Sequence, residues 1–483
     1  MRYFLLAIAL ALTSACGGDS PPTVPSTEVD GEVLTGKFVE DGRVAAFLGV
    51  PFAEPPVGNL RWRAPQPLQT KVAHRQTTEF SAACMQTLRI LDWYRDMAEK
   101  FGGSRGYYPD LKINEDCLYL NVWTPTLEDD AKLPVMVWVH GGSNRSGWSY
   151  EPNYHGHELA QKGVVVVSIA YRQGVFGFFS HPDLPANEPS ANFGLWDIVA
   201  SLQWIQENIQ RFGGDPNRIT MFGESSGAEN ILALMFADPA KDLFHRAILE
   251  STASFGIDSN TLAGEQERGI ELTTTLGLGG DAALGRLRQV PADELLRTYE
   301  GAFSGYYHSP AIDGRLITES TWAGIQAGHF PNHQMIIGTN ADETTDRLAT
   351  AEDYLCPSQH TAASLAASGG SARMYYFTRV RDDAGGQEIG AFHGAEYAYA
   401  FGTHDAYMLT NDIDLALTET MMGYWTRFAA TGDPNGGDLP TWPQFGAPSF
   451  DVQELGDKVK TIPAPEAELC ASFESRSVNR LQH

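Results

Sequence analysis

The sequence predicts an α/β fold in which a central, mostly parallel sheet is flanked by helices. Residues 133–140 (LPVMVWVH) and 164–170 (VVVVSIA) are short apolar runs without alternation, which is typical of strands covered on both faces. Between the second run and a third at 218–223 lies the segment 195–212, whose apolar residues recur mostly at spacings of three and four. This period predicts a helix, and two glycines end it. Strand, helix and strand in this order form the unit from which parallel sheets are built.

Later segments extend the same pattern. The apolar runs 245–250 and 334–338 predict two more strands, and 415–430 predicts a second long helix that ends before Gly432. No tandem repeat or charge block divides the chain after its first 30 residues. We therefore expect residues 31–483 to form a single α/β domain with long insertions.

The composition argues against several classes of protein. Among 483 residues, 34 Lys+Arg stand against 60 Asp+Glu, so the formal net charge is −26. This charge argues against a nucleic-acid partner, because phosphate binding needs a concentrated basic surface, and it repels anionic substrates. Hydrophobic residues make up 43% of the chain, enough for a large core, which excludes intrinsic disorder.

The first residues indicate an export signal. Arg2 precedes the apolar run 3–12, which is too short for a bilayer that needs ~20 residues, and small residues lead to Cys16. The segment LTSAC resembles a bacterial lipoprotein signal, in which the cysteine is lipidated and becomes the new N-terminus. We therefore expect export from a bacterial cell and removal of residues 1–15. The lipid on Cys16 is then the protein's only membrane contact, facing the periplasm or the cell surface.

Residues 16–30 are rich in Gly, Ser, Thr and Pro and are expected to form a flexible tether between that lipid anchor and the folded body. The alternative is ordinary secretion, with Cys16 discarded or free.

Four cysteines follow the first one, an even number that suits disulfides in an oxidising compartment. They are Cys84, Cys117, Cys356 and Cys470. The sequence alone allows three pairings. No CxxC pair or Cys/His cluster at zinc-ligand spacing occurs, so neither a metal nor another cofactor is expected. His155 and His157 are interpreted as structural or surface histidines.

The segment GESSG at 223–227 carries the first sign of chemistry. It follows the predicted strand 218–222 and precedes a predicted helix at 228–234. In a strand–GxSxG–helix context the serine sits on a strained turn, and glycines on either side let strand and helix pack closely. The pattern predicts Ser225 as a nucleophile, with helix N–H groups pointing at the oxyanion that forms beside it. Glu224 is interpreted as a charge in the wall of the site rather than a second acid.

A serine nucleophile needs a histidine base and an acid that orients it, here in the chain order serine, acid, histidine. The acids that follow the predicted strand 334–338 are Asp342, Glu343 and Asp346. The histidines that come later are His360, His393, His404 and His483. Spacing does not choose among them.

A glycine-rich turn after the strand 133–140 is the candidate oxyanion hole. Gly141 and Gly142 precede Ser143 and Asn144. Without a Cβ in the way, backbone N–H groups can approach a carbonyl oxygen, and the turn stands before the GxSxG segment as such a site requires.

Several separated blocks resemble the type-B carboxylesterase/cholinesterase family of α/β-hydrolases, over about residues 36–435. The blocks are FLGVPFAEPPVGNLRWRAP from Phe47, NEDCLYLNV from Asn114, WVHGG from Trp138, AYRQGVFGF from Ala170, LQWIQENIQRFGGDPNRITMFGESSGA from Leu202, NADE from Asn340, HGAE from His393 and FAATGDPN from Phe428. The resemblance implies an α/β-hydrolase fold and a triad of Ser225, Glu343 and His393.

The same resemblance assigns the oxyanion donors and the disulfides. The donors become the backbone N–H groups of Gly142, Ser143 and Ser226. Cys84 with Cys117 matches the first disulfide of the family, which leaves Cys356 with Cys470. The loop between Cys84 and Cys117 helps line the entrance to a gorge in that family, and its aromatic residues either receive a cationic or aryl substrate or simply pack. These aromatic residues are Trp93, Tyr94, Tyr107 and Tyr108.

The chain departs from the family pattern near the site. Ser143 stands where a third glycine is usual, and a positive φ at that position would cost on the order of 1 kcal/mol. Asn144 replaces an aromatic residue, which alters the wall of the acyl pocket. Ser226 replaces the usual alanine, and its hydroxyl can add a hydrogen bond. Thr344 follows Glu343 where glycine is preferred. None of these changes removes a catalytic group.

Together these features predict a serine hydrolase that cleaves neutral or cationic small-molecule carboxylic esters through an acyl-enzyme, without a cofactor. One alternative is a non-catalytic binding or adhesion protein on this scaffold, which typically lacks the nucleophile. The other is an amide or thioester hydrolase that uses the same triad.

Overall fold

The computed structural model describes residues 24–252, 260–330, 334–403 and 410–473. The strands of this part of the chain are β1 (Ser26–Val29), β2 (Glu32–Thr35), β3 (Lys37–Val39), β4 (Val44–Pro51), β5 (His74–Gln76), β6 (Ala83–Cys84), β7 (Ile113–Asn114), β8 (Tyr119–Thr124), β9 (Leu133–Val139), β10 (Val165–Ile169), β11 (Gly214–Glu224), β12 (Arg246–Glu250), β13 (Gln334–Asn340), β14 (Ser371–Phe377), β15 (Asp451–Leu455) and β16 (Lys460–Pro463). The α-helices are α1 (Arg89–Lys100), α2 (His157–Gln161), α3 (Gly174–Gly177), α4 (Phe193–Asn208), α5 (Ser226–Met235), α6 (Leu262–Thr275), α7 (Ala283–Leu287), α8 (Ala292–Ala302), α9 (Thr321–Ala327), α10 (Arg347–Thr350), α11 (Cys356–Ala367), α12 (Ala384–Ile389), α13 (Tyr397–Phe401), α14 (Asp412–Thr431) and α15 (Ala467–Ala471).

Eleven strands form the central sheet, in the order β16-β15-β14-β13-β12-β11-β9-β10-β8-β4-β3. The seven neighbours from β15 to β10 pair in parallel. Antiparallel strands complete both edges, β16 on one side and β8, β4 and β3 on the other. The predicted α/β fold with a mostly parallel sheet is confirmed, and the two predicted helices are α4, continued by a 3-10 turn (Ile209–Phe212), and α14.

The central strands are apolar because both faces of the sheet are covered. Along β9, Val135, Val137 and Val139 enter one hydrophobic core, whereas Met136 and Trp138 enter the other. Burying one such side chain stabilises the fold by about 1.5–3 kcal/mol. The run without alternation therefore reflects two apolar layers that share one sheet.

The parallel strands end together at one edge of the sheet. There, β9 leads into the glycine-rich turn, β11 into α5, and β13 into the segment with the candidate acids. Loops at the carboxyl ends of parallel strands are where sites of α/β proteins collect. The topology thus brings the predicted site segments to the same edge.

Two disulfides join Cys84 to Cys117 and Cys356 to Cys470. The first closes the segment that contains α1, and the second ties α11 to α15. These are the pairings that the family resemblance implies.

The expected flexible tether over residues 16–30 needs a correction at its end. Ser26–Val29 form β1, which pairs antiparallel with β2, and the side chain of Val29 is buried. Ladder hydrogen bonds and an apolar contact hold this stretch to the folded body, so Ser26–Val29 are not part of a tether. Residues 1–15 and Cys16 lie outside the described residues, as do His404 and His483.

Candidate active site

The turn from β11 to α5 holds Ser225 in a conformation that few L-residues adopt. Its φ is 53° and its ψ is −130°, and α5 begins at the next residue, Ser226. Backbone in this region costs of order 1–3 kcal/mol and persists only where the surroundings enforce it. The strain expected of a GxSxG turn is therefore present at the predicted nucleophile.

The glycines on either side of this turn leave room for the backbone of β9. A Cβ on Gly223 would lie 2.6 Å from the carbonyl oxygen of Val139, and one on Gly227 would lie 2.1 Å from the same atom. Neither distance is compatible with a side chain. The two glycines thus let strand and helix approach β9 closely enough to force the bend at Ser225.

Of the three candidate acids, Glu343 is the one that contacts a candidate histidine in the described residues. Its Oε2 lies 2.6 Å from Nδ1 of His393, and its Oε1 accepts hydrogen bonds from Thr339 Oγ1 (2.7 Å) and the backbone N–H of Asn340 (2.6 Å). The Glu343 side chain is buried. A carboxylate fixed in this way can orient the imidazole and stabilise its charged form.

The other two acids have different contacts. Asp342 accepts a hydrogen bond from the backbone N–H of Ala391, and its own N–H donates to the carbonyl oxygen of Ala391. These bonds hold the loop of His393 against the loop of Glu343. Asp346 caps the start of α10 through the N–H groups of Leu348 and Ala349.

Two of the four candidate histidines, His360 and His393, lie in the described part of the chain. Of these two, His393 lines the same cavity as Ser225. His360 lies on α11, where its ring packs against Trp322 with centroids 4.5 Å apart. The His393 side chain is 31% exposed, so it can meet a substrate that enters the cavity.

Glu224 contacts the other nitrogen of the imidazole. The Oε1 atom of this buried carboxylate lies 2.9 Å from Nε2 of His393. Burial by itself lowers the pKa of His393, but the carboxylates of Glu224 and Glu343 outweigh it and raise the pKa well above its usual value. The sequence interpretation of Glu224 as a wall charge missed this contact, since residue spacing does not show which way a side chain turns.

Two more buried carboxyl groups interact with these carboxylates. Burial and neighbouring carboxylates raise the pKa of Glu396 to about 8 and that of Glu250 well above its usual value. Glu396 accepts hydrogen bonds from Ser251 Oγ and Asn340 Nδ2, and Glu250 accepts one from Trp425 Nε1. A pKa of about 8 favours the neutral form of Glu396 at pH 7. The position of Glu396 in the HGAE block was the available sequence signal for its proximity to His393.

The glycine-rich turn also contains strained backbone. Gly142 has a φ of 107°, and a Cβ there would lie 2.0 Å from the carbonyl oxygen of Ser146. Ser143 and Asn144 follow with φ values of 61° and 53°. Ser143 thus has the positive φ that glycine usually supplies, although it lacks the conformational freedom of glycine.

Asn144 is turned away from the cavity. Its side chain is fully buried, and it exchanges hydrogen bonds with Asn230 of α5. Gly142 and Ser143 line the cavity that contains Ser225, whereas Asn144 does not. The substitution at 144 therefore adds an internal contact rather than a wall to this cavity.

The cavity has a volume of about 1060 Å³. Its lining includes Gly142, Ser143, Ser225 and His393, together with Trp93 and Met97 of α1. The disulfide-closed segment thus contributes one wall. Of the other predicted aromatic residues of that segment, Tyr94 lines the cavity too, while Tyr107 and Tyr108 pack edge to face against each other.

One group of side chains could hold a metal ion among the described residues. Ligand atoms of Glu40, His157 and Glu158 lie within 4.8 Å of one another. The three residues are partly exposed and do not line the cavity of Ser225. A metal ion bound there would therefore not contact the groups that surround the serine.

Comparison with known proteins identifies the family of the chain. The model of the carboxylesterase family matches residues 23–354 and 344–471. The chain is 32% identical to a fumonisin B1 esterase from Sphingopyxis macrogoltabida, over 90% of this chain and 87% of that protein. It is 31% identical to the liver carboxylesterase 1 of Oryctolagus cuniculus, over 94% of this chain and 96% of that protein.

Solved structures show the same fold. A PNB esterase superposes with a TM-score of 0.81 at 27% identity, over 93% of this chain and 99% of the other. A carboxylesterase of Geobacillus stearothermophilus gives 0.80 at 28% identity, over 93% and 100%. The chain belongs to the carboxylesterase family of α/β-hydrolases and is a carboxylic ester hydrolase.

Proposed function

We propose that the protein cleaves esters through a covalent acyl-enzyme formed on Ser225, with His393 as the base and Glu343 as the orienting acid. One observation carries the proposal: Glu343 lies 2.6 Å from Nδ1 of the histidine, and that histidine and Ser225 line one cavity. The three residues come from different loops, so their convergence depends on the whole sheet.

The first half of the reaction forms the acyl-enzyme. Neutral His393 takes the proton of the Ser225 hydroxyl as the oxygen attacks the ester carbonyl carbon. The backbone N–H groups of Gly142, Ser143 and Ser226 stabilise the oxyanion of the tetrahedral intermediate. Collapse expels the alcohol, which takes the proton from the imidazolium.

The second half releases the acid. Water replaces the alcohol, and His393 removes a proton from it as its oxygen bonds the acyl carbon. The bond to Ser225 Oγ then breaks, Oγ takes the proton back from the imidazolium, and the carboxylic acid leaves. The carboxylates of Glu224 and Glu343 stabilise the imidazolium in both halves, since each lies within 3 Å of a ring nitrogen.

The substrate is proposed to be a neutral or cationic ester of drug-like size. A cavity of about 1060 Å³ accommodates such a molecule. The buried carboxylate of Glu224 lines it, and the net charge of the chain is −26, so an anionic ester meets an unfavourable field. Comparison of kcat/KM for short, long, aryl and bulky-alcohol esters, each in neutral, cationic and anionic form, tests this preference.

A fluorophosphonate probe tests the nucleophile. We expect labelling of the wild type and none of Ser225→Ala, together with a loss of kcat of about 10⁶-fold in that variant. Ser201→Ala is the matched control, because it removes another buried hydroxyl, on α4, and should keep labelling. Ester turnover by Ser225→Ala above background would contradict the assignment.

The same probe separates the alternatives. A binding or adhesion protein on this scaffold would not be labelled. An amide or thioester hydrolase would be labelled, and its kcat/KM would be higher for those substrates than for the matched oxygen ester.

Export and lipidation at Cys16 are proposed from the LTSAC segment at the end of the apolar run. Among the helices of the described residues, none combines the length and apolarity needed to cross a membrane. Expression in a bacterial host with a labelled fatty acid tests the proposal. We expect label in the wild type and none in Cys16→Ser, with the variant released from the membrane fraction. An unlabelled wild type would favour ordinary secretion.

A further inference from the structure

Asn144 and Ser226, two departures from the family pattern, meet in one hydrogen-bonded cluster. Both are fully buried, and both belong to segments that supply the proposed oxyanion donors. Asn144 follows Ser143 in the glycine-rich turn, and Ser226 is the first residue of α5. The cluster therefore lies between the two halves of the proposed oxyanion hole.

The Asn144 side chain donates both of its amide hydrogens and accepts a hydrogen bond on its oxygen. Its Nδ2 donates to the carbonyl oxygen of His308 (2.8 Å) and to Oδ1 of Asn230 (3.2 Å). Its Oδ1 accepts from Nδ2 of Asn230 (2.7 Å) and lies 3.3 Å from the hydroxyl of Tyr171, whose hydrogen has a shorter bond to the carbonyl oxygen of His140 (2.7 Å). Both amide hydrogens and the amide oxygen of this buried group therefore have partners.

The backbone of the same residue is fixed as well. The N–H of Asn144 donates to Oγ of Ser226 (3.1 Å), and its carbonyl oxygen accepts from the N–H of Gly174 (2.7 Å). Ser226 thus binds the turn through its side chain while its own N–H stays part of the hole. Asn230, one helical turn further along α5, binds the turn a second time.

We propose that Asn144, Asn230 and the Ser226 hydroxyl are positioning residues that set the spacing between the two halves of the oxyanion hole. The proposal rests on the proposed function of Ser225. Oxyanion donors act only when they lie about 2.7–3.1 Å from the oxygen. Here the donors come from segments more than 80 residues apart: the bond of Asn144 to Ser226 spans 82 residues and its bond to Asn230 spans 86. The side-chain bridges hold the turn, with its two non-glycine residues at positive φ, against the helix that begins at Ser226.

This role differs from that of a residue that touches substrate. Asn144 does not line the cavity, so its removal should spare substrate binding and weaken stabilisation of the oxyanion alone. Such a loss appears in kcat and in the affinity for a transition-state analogue, while KM stays nearly constant.

The experiment compares Asn144→Ala and Ser226→Ala with the control Asn192→Ala. Asn192 is also buried, also has a positive φ (57°), and bonds Ala311 through both ends of its amide, but it belongs to neither half of the hole. The readouts are kcat, KM, the inhibition constant of an alkyl trifluoromethyl ketone that adds to Ser225, and the unfolding midpoint.

We expect kcat to fall about 10²-fold in Asn144→Ala, similar to the loss of one oxyanion donor, and roughly tenfold in Ser226→Ala. Affinity for the trifluoromethyl ketone should fall in parallel, with KM within about twofold of the wild type. Asn192→Ala should lose stability but keep kcat and ketone affinity.

A second variant keeps the test decisive. Ser226→Ala changes one atom in a helix where alanine is favoured, so it measures the bridge even if Asn144→Ala does not fold. A kcat and ketone affinity of Ser226→Ala indistinguishable from those of Asn192→Ala would overturn the inference. If the fall in kcat/KM of Ser226→Ala came entirely from a rise in KM, with kcat unchanged, the inference would also be overturned. Turnover or ketone binding in Ser225→Ala would instead overturn the proposed function, and the inference with it.

Discussion

The turn at Ser225 and the turn at Ser143 and Asn144 solve the same physical problem in different ways. Both place residues other than glycine at positive φ, 53° in the first and 61° and 53° in the second. Such backbone persists only where its surroundings fix it. What differs is the source of that support.

At Ser225 the support is backbone against backbone. Gly223 and Gly227 both lie against the carbonyl oxygen of Val139, at distances that would not admit a Cβ. The need for residues without a Cβ falls on two positions of the GxSxG motif, so it is visible in the sequence as the two glycines.

At Asn144 the support comes mainly from hydrogen bonds that involve side chains, its own amide and the hydroxyl of Ser226. Its partners are Asn230, Tyr171, Ser226 and backbone groups of Gly174 and His308, which are far from it in the chain. A strained turn that is stabilised by residues far away in the chain has no sequence motif of its own. The glycines of a motif therefore identify only the strained turns that close backbone packing stabilises.

The largest effect is expected from Gly227→Ala. Its Cβ would lie 2.1 Å from the Val139 carbonyl oxygen, at the end of β9, and 2.7 Å from that of His140, the residue that follows. We expect a loss of about 3 kcal/mol or more in the free energy of unfolding and loss of ester turnover, measured by denaturant unfolding and kcat. Gly301→Ala, in α8 with open space around its Cβ position, is the control and should be neutral or slightly stabilising. Equal stability of the two variants would show that close backbone packing does not hold this turn.

A smaller effect, on pH dependence, is expected from Glu224→Gln. The carboxylates of Glu224 and Glu343 raise the pKa of His393 above its ordinary ~6.5, and the base acts only when neutral. The wild-type rate should therefore fall with decreasing pH through a midpoint above ~6.5. Loss of the Glu224 charge should move this midpoint down by about one pH unit or more in profiles of kcat/KM.

Other groups near the imidazole stay the same in both proteins. Tyr354 packs against the ring with centroids 5.4 Å apart, and burial raises the pKa of its hydroxyl to about 12, so it remains neutral. Burial raises the pKa of Glu229 to about 8, and this carboxyl also interacts with His393. Glu388→Gln, at the cavity rim beside Lys100, removes a charge without touching the imidazole and should barely shift the midpoint. An identical profile for Glu224→Gln and the wild type would refute the electrostatic role of Glu224.

The smallest effect is expected from Ser143→Gly. Its positive φ is unfavourable for serine and free of steric cost for glycine, so the variant should gain up to about 1 kcal/mol in the free energy of unfolding. The denaturant midpoint measures the gain. Ser143→Ala removes the same hydroxyl but keeps the Cβ, and it should show no such gain. A matching increase in both variants would assign the effect to the hydroxyl rather than to the backbone.

Much of the candidate site could be predicted because its signals are short-range. The strand before Ser225, the glycines around it and the helix after it occupy consecutive positions, and the apolar runs identify strands covered on both faces. The family resemblance then singled out Glu343 and His393. Spacing alone left three acids and four histidines, because it contains no information on which loops meet.

The contacts of Glu224 and Asn144 could not be predicted in this way. Glu224 was adjacent to a predicted nucleophile, yet only the fold shows that its side chain turns to His393. Asn144 was expected in a wall and lies instead in a buried cluster. The predicted tether extended through residue 30 because its composition is polar, whereas pairing with β2 orders Ser26–Val29.

The sequence by itself determined the α/β class, the position of the strained serine and the close packing that its glycines allow, since these depend on the periodicity and volume of neighbouring residues. Only the tertiary structure decided that Glu343 meets His393 across 50 residues, and that Glu224 meets the other side of the imidazole. The physical reason is that sheet order brings loop ends together, and a hydrogen bond depends on the distance in space between its atoms rather than on their separation along the chain.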